Sequence, residues 1–205
     1  MICFKERYRK LFLFIFLIIC SQYGLAQNAD ITLLQNINLH RPQKLDAGFR
    51  FVANTTYPVS LAVPMVMLGT GYLKKDSALK NQGLQTGAAL VIAAVITEGL
   101  KRSIQRPRPF VTYPFIEKAT EGDGSSFPSG HVSIAFATAT SLYLWNHKWY
   151  VAVPSFVWAS TVAYARMDLG VHYPSDVLAG AIVGSASAFL SYKANKWIHK
   201  KRKMR

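Results

Sequence analysis

The feature that most constrains this chain is a series of five apolar segments: Tyr57–Leu73, Leu84–Leu100, Phe127–Trp145, Trp149–Ala165 and Val177–Tyr192. Each is about 16 to 19 residues long, near the ~17–25 residues that an α-helix needs to cross the hydrocarbon of a bilayer. Helices of a soluble bundle keep a polar face, and these segments are too many and too uninterrupted for that. The expectation is an all-α protein, a multi-span membrane helical bundle. It would have five spans in the mature chain plus an N-terminal surface helix, or six spans if the leader is kept. Small residues recur at every fourth position in two of the segments, as Ser133, Ala137 and Ser141 and as Gly180, Gly184 and Ala188. Such rows let helix backbones approach closely in lipid, so the bundle should be compact.

The leader is "MICFKERYRK LFLFIFLIIC SQYGLAQN". Lys5, Arg7, Arg9 and Lys10 precede an apolar run from Leu11 to Cys20, and Gly24-Leu25-Ala26 supplies small residues for cleavage. This is the order of a secretory signal peptide cut after Ala26; the alternative is an uncleaved signal anchor. Residues 1–26 are thus a leader and 27–205 the membrane domain. The two cysteines, Cys3 and Cys20, both lie in the leader, which rules out a disulfide framework. Between Asp30 and Asn54, the spacing of Ile31, Leu34 and Ile37 predicts a short amphipathic helix. It either lies at the membrane surface or packs as an ordinary helix.

The formal net charge of +14 suits nucleic acid or an anionic membrane, and its placement decides. Basic residues collect at Lys74–Lys80, at Asn146–Lys148 and from Lys193 onward. All three fall on one side if the spans alternate, and Lys and Arg mark the cytoplasmic side. No basic patch interleaved with stacking aromatics exists for a nucleic acid. The reading is therefore a multi-pass membrane protein whose other loops face outside. The expected location is a bacterial inner (cytoplasmic) membrane with those loops on the periplasmic face.

The unusual polar residues fall in the opposite loops, Lys101–Phe127 and Arg166–Asp176. Lys101, Arg102, Arg106 and Arg108 follow the second segment. Ser129, Gly130 and His131 open the third, Arg166 ends the fourth, and His172 and Asp176 precede or open the fifth. Several cations and free helix-start N–H groups on one face make an anion site, and Gly130 lets a ligand approach the backbone. Pro128 suits the first turn of its helix. Two histidines add what a phosphate site alone does not need: one can attack phosphorus while the other protonates the leaving oxygen. Asp176, four residues after His172, is placed to hold an imidazole nitrogen. Any one histidine at a helix end is commonly a cap or surface residue; the argument rests on the combination.

Three motifs carry a resemblance. They are "KRSIQRPRP" with Lys101, Arg108 and Pro109; "PSGH", Pro128 to His131; and "RMDLGVHYPSD" with Arg166, His172 and Asp176. Together they resemble the three signatures of the type 2 phosphatidic acid phosphatases, a family sharing its fold with the vanadium haloperoxidases. The resemblance covers roughly Ala47 to Tyr192. Ala165 stands where the family often has Ser, so one hydroxyl is missing. The resemblance implies that His172 is the nucleophile, oriented by Asp176, and that His131 is general acid and then base. It also implies that Lys101, Arg108, Arg166, Ser129 and the Gly130 amide hold the phosphate. The implied function is metal-independent hydrolysis of a lipid monophosphate or pyrophosphate, with no cofactor and no obligate protein partner. Phosphatidic acid, phosphatidylglycerol phosphate, a polyprenyl pyrophosphate and lipid A are the candidate substrates. Competing readings are a vanadate-dependent haloperoxidase and a non-catalytic lipid-phosphate binding or transport protein. Glu98 is expected to pair with Lys101 or Arg102. Arg106 and Asp168 are placed beside the pocket, and His40, His147 and His199 at the surface.

Overall fold

A computed structural model describes residues 28–203. The leader at 1–26 and the side chain of His199 lie outside the described residues. All regular structure described is helical. Helix α1 spans 28–39, a 3-10 turn covers Gln43–Leu45, and α2 is Asp46–Asn54. The rest are α3 (Thr56–Leu73), α4 (Ser77–Ile104), a one-turn α5 (Pro109–Thr112), α6 (Gly130–Trp145), α7 (Trp149–Asp168) and α8 (Pro174–Lys203).

The five long helices fall on the five apolar segments, but two run far past the apolar runs. Helix α4 starts inside the basic stretch at Lys74–Lys80, because Asp76 caps it. The Asp76 carboxylate accepts from the N–H groups of Ala78 and Leu79 at 2.9 and 3.0 Å. It ends at Gln105, which adopts left-handed backbone with φ 48, just before the Arg106-Pro107 pair that disfavours more helix. Helix α8 continues through the basic tail to Lys203. Pro128 is not in the first turn of α6: the helix begins at Gly130, after an extended Ser129 and a cis Phe127–Pro128 bond.

Helix α6 is central. Helices α3, α4, α7 and α8 all pack on it, and Val132, Ala135, Ala137 and Ala139 are fully buried. The two rows of small residues meet here. A Cβ added at Gly180 would lie 2.7 Å from the Ser129 carbonyl oxygen, and one at Gly184 would overlap the Ser133 carbonyl. Only glycine permits that approach of α8 to α6. Among the described residues, three helical stretches are long and apolar enough to cross a membrane: Gln43–Leu73, Ser77–Thr112 and Pro174–Ile198. Helix α6 has 16 residues and is wrapped by protein rather than exposed to lipid. Helix α7 is 20 residues long but carries Ser155, Ser160, Thr161, Arg166 and Asp168.

Candidate active site

At one end of the bundle the two loops and the helix ends enclose a cavity of about 820 Å³. Lys101, Arg108, Gly130, His131, Arg166 and His172 all line it. Five predicted site side chains from four separate parts of the chain therefore meet at one space, with the start of α6 beside them. Ser129 is the residue before α6; it is fully buried, and its Oγ has no hydrogen-bond partner. Asp176 lies behind the wall, also fully buried.

Each cation is positioned by backbone carbonyls. Arg108 donates from Nη1 to Val171 at 3.0 Å, from Nη2 to Asp123 at 2.8 Å and from Nε to Gly124 at 3.2 Å. The loop can wrap the guanidinium because Gly122 has no side chain: a Cβ there would sit 2.8 Å from Arg108 Nη1. Gly124 provides the left-handed bend, with φ +64. The Lys101 ammonium donates to the Ser125 carbonyl. Arg166 is 3 % exposed; its Nη2 reaches the Glu121 carbonyl at 3.4 Å and its Nε has no partner. A buried guanidinium with an unused donor facing a cavity has capacity for an anion.

His172 sits between α7 and α8 and is 2 % exposed. Its Nε2 lies 3.5 Å from Arg108 Nη1 and its Nδ1 lies 3.5 Å from Asp176 Oδ2. The second distance is in ion-pair range, yet Nδ1 makes no aligned hydrogen bond to the Asp176 carboxylate, which has other partners. Its Oδ2 accepts the Tyr173 N–H at 2.9 Å and its Oδ1 accepts Arg106 Nη1 at 2.8 Å. Tyr173 stands just before α8 and Asp176 is the third residue of that helix, so the carboxylate reaches back as in a capping box. Burial lowers the His172 pKa to about 4 against the pull of Asp176, with Arg108 and Arg166 reinforcing the drop. At that value the imidazole is neutral at pH 7. His131 is half-buried, with its ring edge-on to Tyr57 at a centroid distance of 4.8 Å.

The sequence reading missed Asp30. The Asp30 carboxylate accepts Arg106 Nη2 at 2.8 Å, the Ser175 N–H at 2.8 Å and the Ser175 hydroxyl. Arg106 also stacks on Tyr173, its guanidinium carbon 3.8 Å from the ring centroid. Arg106 thus bridges Asp30 on α1 to Asp176 beside His172. Helix α1 is therefore a packed helix, further held by Asn38, whose amide donates to the Glu117 and Asp168 carbonyls at 3.0 and 2.9 Å. Asp168 does not line the cavity; it is buried, 1 % exposed. Glu98 pairs with Arg102 at 2.7 Å, as the helical spacing predicts, rather than with Lys101. His40 and His147 are exposed.

A helical bundle with two histidines and several cations facing one cavity defines a class of membrane-associated phosphate-handling proteins. The chain belongs to the PAP2 superfamily, whose family model matches residues 82–200. It is 34 % identical to the lipid A 4'-phosphatase of Bacteroides thetaiotaomicron over 56 % of this chain and 57 % of that protein. It is 37 % identical to the undecaprenyl-diphosphatase of Sulfolobus acidocaldarius over 53 % of each chain. The chain thus spans about half the length of these curated relatives. Among solved structures it resembles Aquifex aeolicus LpxE, with a TM-score of 0.69 and 27 % identity, covering 80 % of this chain and 95 % of that one. It shares its fold with the PAP2-type phosphatidylglycerolphosphate phosphatase of Bacillus subtilis, with a TM-score of 0.73 and 24 % identity over 92 % of this chain and 96 % of that one.

Proposed function

We propose that this protein hydrolyses a phosphate monoester or diphosphate on a membrane lipid, through a phosphohistidine on His172 and without a metal ion. The observation that carries this reading is the pairing of a neutral buried His172 with His131 across one cavity lined by Lys101, Arg108 and Arg166. Those cations hold the non-bridging phosphate oxygens, with the Gly130 N–H and the unpartnered Ser129 hydroxyl. Asp176 faces Nδ1, which then carries the proton, leaving Nε2 to attack. The P–Nε2 bond forms as the bond from phosphorus to the leaving oxygen breaks. The leaving oxygen takes its proton from His131. Water then gives a proton back to His131 and its oxygen attacks phosphorus. The P–Nε2 bond breaks, inorganic phosphate departs, and both histidines return to their starting state. The first step needs His131 protonated, and a bound phosphate dianion beside it favours that form.

The protein crosses the membrane five times after its leader in this reading. The basic ends at Lys74–Lys80, Lys148 and Lys193 onward face the cytoplasm, and the cavity opens on the outer face. The test of function uses protein purified in detergent, EDTA and a panel of lipid phosphates. Inorganic phosphate should be released, and vanadate should inhibit as a mimic of the five-coordinate transition state. A strict requirement for added magnesium would overturn the mechanism. Sidedness is tested with single cysteines at Thr120 and Lys201 in a variant lacking Cys3 and Cys20. In intact spheroplasts an impermeant thiol reagent should label position 120 and not 201.

A further inference from the structure

A second cavity, of about 600 Å³, adjoins the first. Its lining includes Arg50, Asn54, Lys118 and Thr120, and it shares His131, Arg166 and Glu121 with the first cavity. His172 lines the first cavity but not the second. In-line displacement at phosphorus puts the leaving oxygen opposite the nucleophile. A phosphate attacked by His172 therefore points its leaving group away from His172 and toward His131, where the second cavity opens. Beside that cavity runs an apolar groove of about 720 Å³ between α2 and α7, lined by Phe49, Val153, Phe156, Val157 and Tyr164, with Ser160 and Thr161. Phe49 in the groove and Arg50 in the cavity are consecutive on α2, and Tyr164 and Arg166 are two apart on α7, so the two spaces are close neighbours.

Resting on the phosphatase reading above, we infer that the second cavity is the leaving-group subsite and that the α2–α7 groove holds the hydrocarbon chain of the substrate. The scissile phosphate enters the first cavity from the His131 side, and released phosphate leaves on the side lined by the exposed Glu98 and Arg102. Among the described residues Arg50 donates from Nε to its own helix, to the Asp46 carbonyl at 3.3 Å, and Lys118 lies 4.7 Å over the Phe110 ring. Both cations line the space the leaving group would fill. An anionic leaving group, such as the lipid monophosphate released from a lipid diphosphate, gains charge-assisted bonds there that a neutral alcohol does not.

Steady-state kinetics on three substrates test this: a long-chain lipid diphosphate, a long-chain lipid monophosphate with an uncharged leaving alcohol, and a chainless aryl phosphate. Ser160→Trp places a large ring on the exposed wall of the groove. It should lower the ratio of kcat/KM for either lipid to that for the aryl phosphate at least tenfold. Arg50→Ala with Lys118→Ala should raise KM for the diphosphate about tenfold more than for the monophosphate, the loss of roughly one charged hydrogen bond. Unchanged ratios in both variants, with an active wild type, would overturn the subsite and leave the phosphatase reading standing. A wild type that turns over none of the three overturns both.

Discussion

The two ends of the same helices are built on different principles. At the end where α6 stops, helices touch through small residues and a few helix-to-helix hydrogen bonds. Gln82 Nε2 reaches the Ser141 carbonyl at 3.3 Å, Ser191 Oγ reaches the Gln85 carbonyl at 2.8 Å, and glycines at 71 and 83 bring α3 against α4. At the end where α6 starts, loops and α1 are tied together by buried charges. Arg106 joins Asp30 to Asp176, and Arg108 is held by three carbonyls. Backbone approach in lipid supplies fold stability, whereas buried charge costs desolvation and is tolerated where it positions chemistry. Changes at the two ends should therefore separate activity from stability.

The sharpest break of that contrast is His172→Ala. Removing a covalent nucleophile costs on the order of 10⁴-fold or more in kcat. Truncating the buried ring leaves a cavity that lowers stability, so turnover is read per folded molecule. Phosphate release per folded molecule is the measurement, with size-exclusion behaviour in detergent as the control. Near-normal turnover would remove His172 from the mechanism.

Asp30→Asn probes the same end from α1. With one carboxylate oxygen replaced by an amide, Arg106 loses its ion-pair partner and shifts its hold on Asp176. The expected loss in kcat is about 10- to 100-fold, the usual scale for a residue that orients a catalytic group, with KM changed little. Arg106→Lys alone should show a similar loss, because one ammonium does not reproduce the guanidinium's bridge between both carboxylates. In a double-mutant cycle Asp30→Asn and Asp176→Asn should be non-additive in kcat. Additive losses would make Asp30 a structural latch only.

The sequence made most of this end legible and missed part of it for a physical reason. Lys101, Arg108, His131, Arg166 and His172 sit at ends of apolar segments, where charge is expensive unless used, so they stand out. Asp30, Arg50 and Lys118 lie in polar stretches, where any soluble loop carries such residues. Asp30 lies 76 residues from Arg106 and 145 from Ser175, a separation no local pattern encodes. The helix ends were blurred for another reason. Charge at Lys74–Lys80 and beyond Lys193 marks where lipid ends and not where helical hydrogen bonding ends, so α4 and α8 run past their apolar cores.

Gly83→Leu tests the other end of the comparison. A Cβ there already lies 2.8 Å from the Leu68 side chain and 3.0 Å from the Pro64 carbonyl. Overpacking of this kind costs about 1–3 kcal/mol. The thermal midpoint in detergent should fall, while kcat of the surviving folded protein stays closer to wild type than that of Asp30→Asn. Gly48→Ala, where an added Cβ meets nothing within 4 Å, is the matched control and should leave the midpoint unchanged or slightly raised. A fall in kcat for Gly83→Leu as large as that for Asp30→Asn would show that the two ends are not separable.

The smallest expected effect is one of pH, and it comes from burial at the site end. His172 has a folded pKa of about 4 against an ordinary value of 6.5. A nucleophile titrating at 6.5 would lose roughly tenfold in kcat/KM between pH 7.5 and 5.5. With the depressed value, Nε2 stays unprotonated over that range, and the acid limb from this group appears only as pH approaches about 4. Once corrected for the ionisation of the substrate's own phosphate, kcat/KM for an aryl phosphate should change less than twofold on this account. The sign for stability follows from the same shift. The unfolded chain binds a proton at 6.5 more readily than the folded one, so this group's contribution is full above 6.5. It is lost progressively as pH falls toward about 4. The thermal midpoint of the wild type should therefore drop over that window, and His172→Ala should reduce the drop. A corrected acid limb centred near 6.5 would place His172 in a wetter site than its burial indicates.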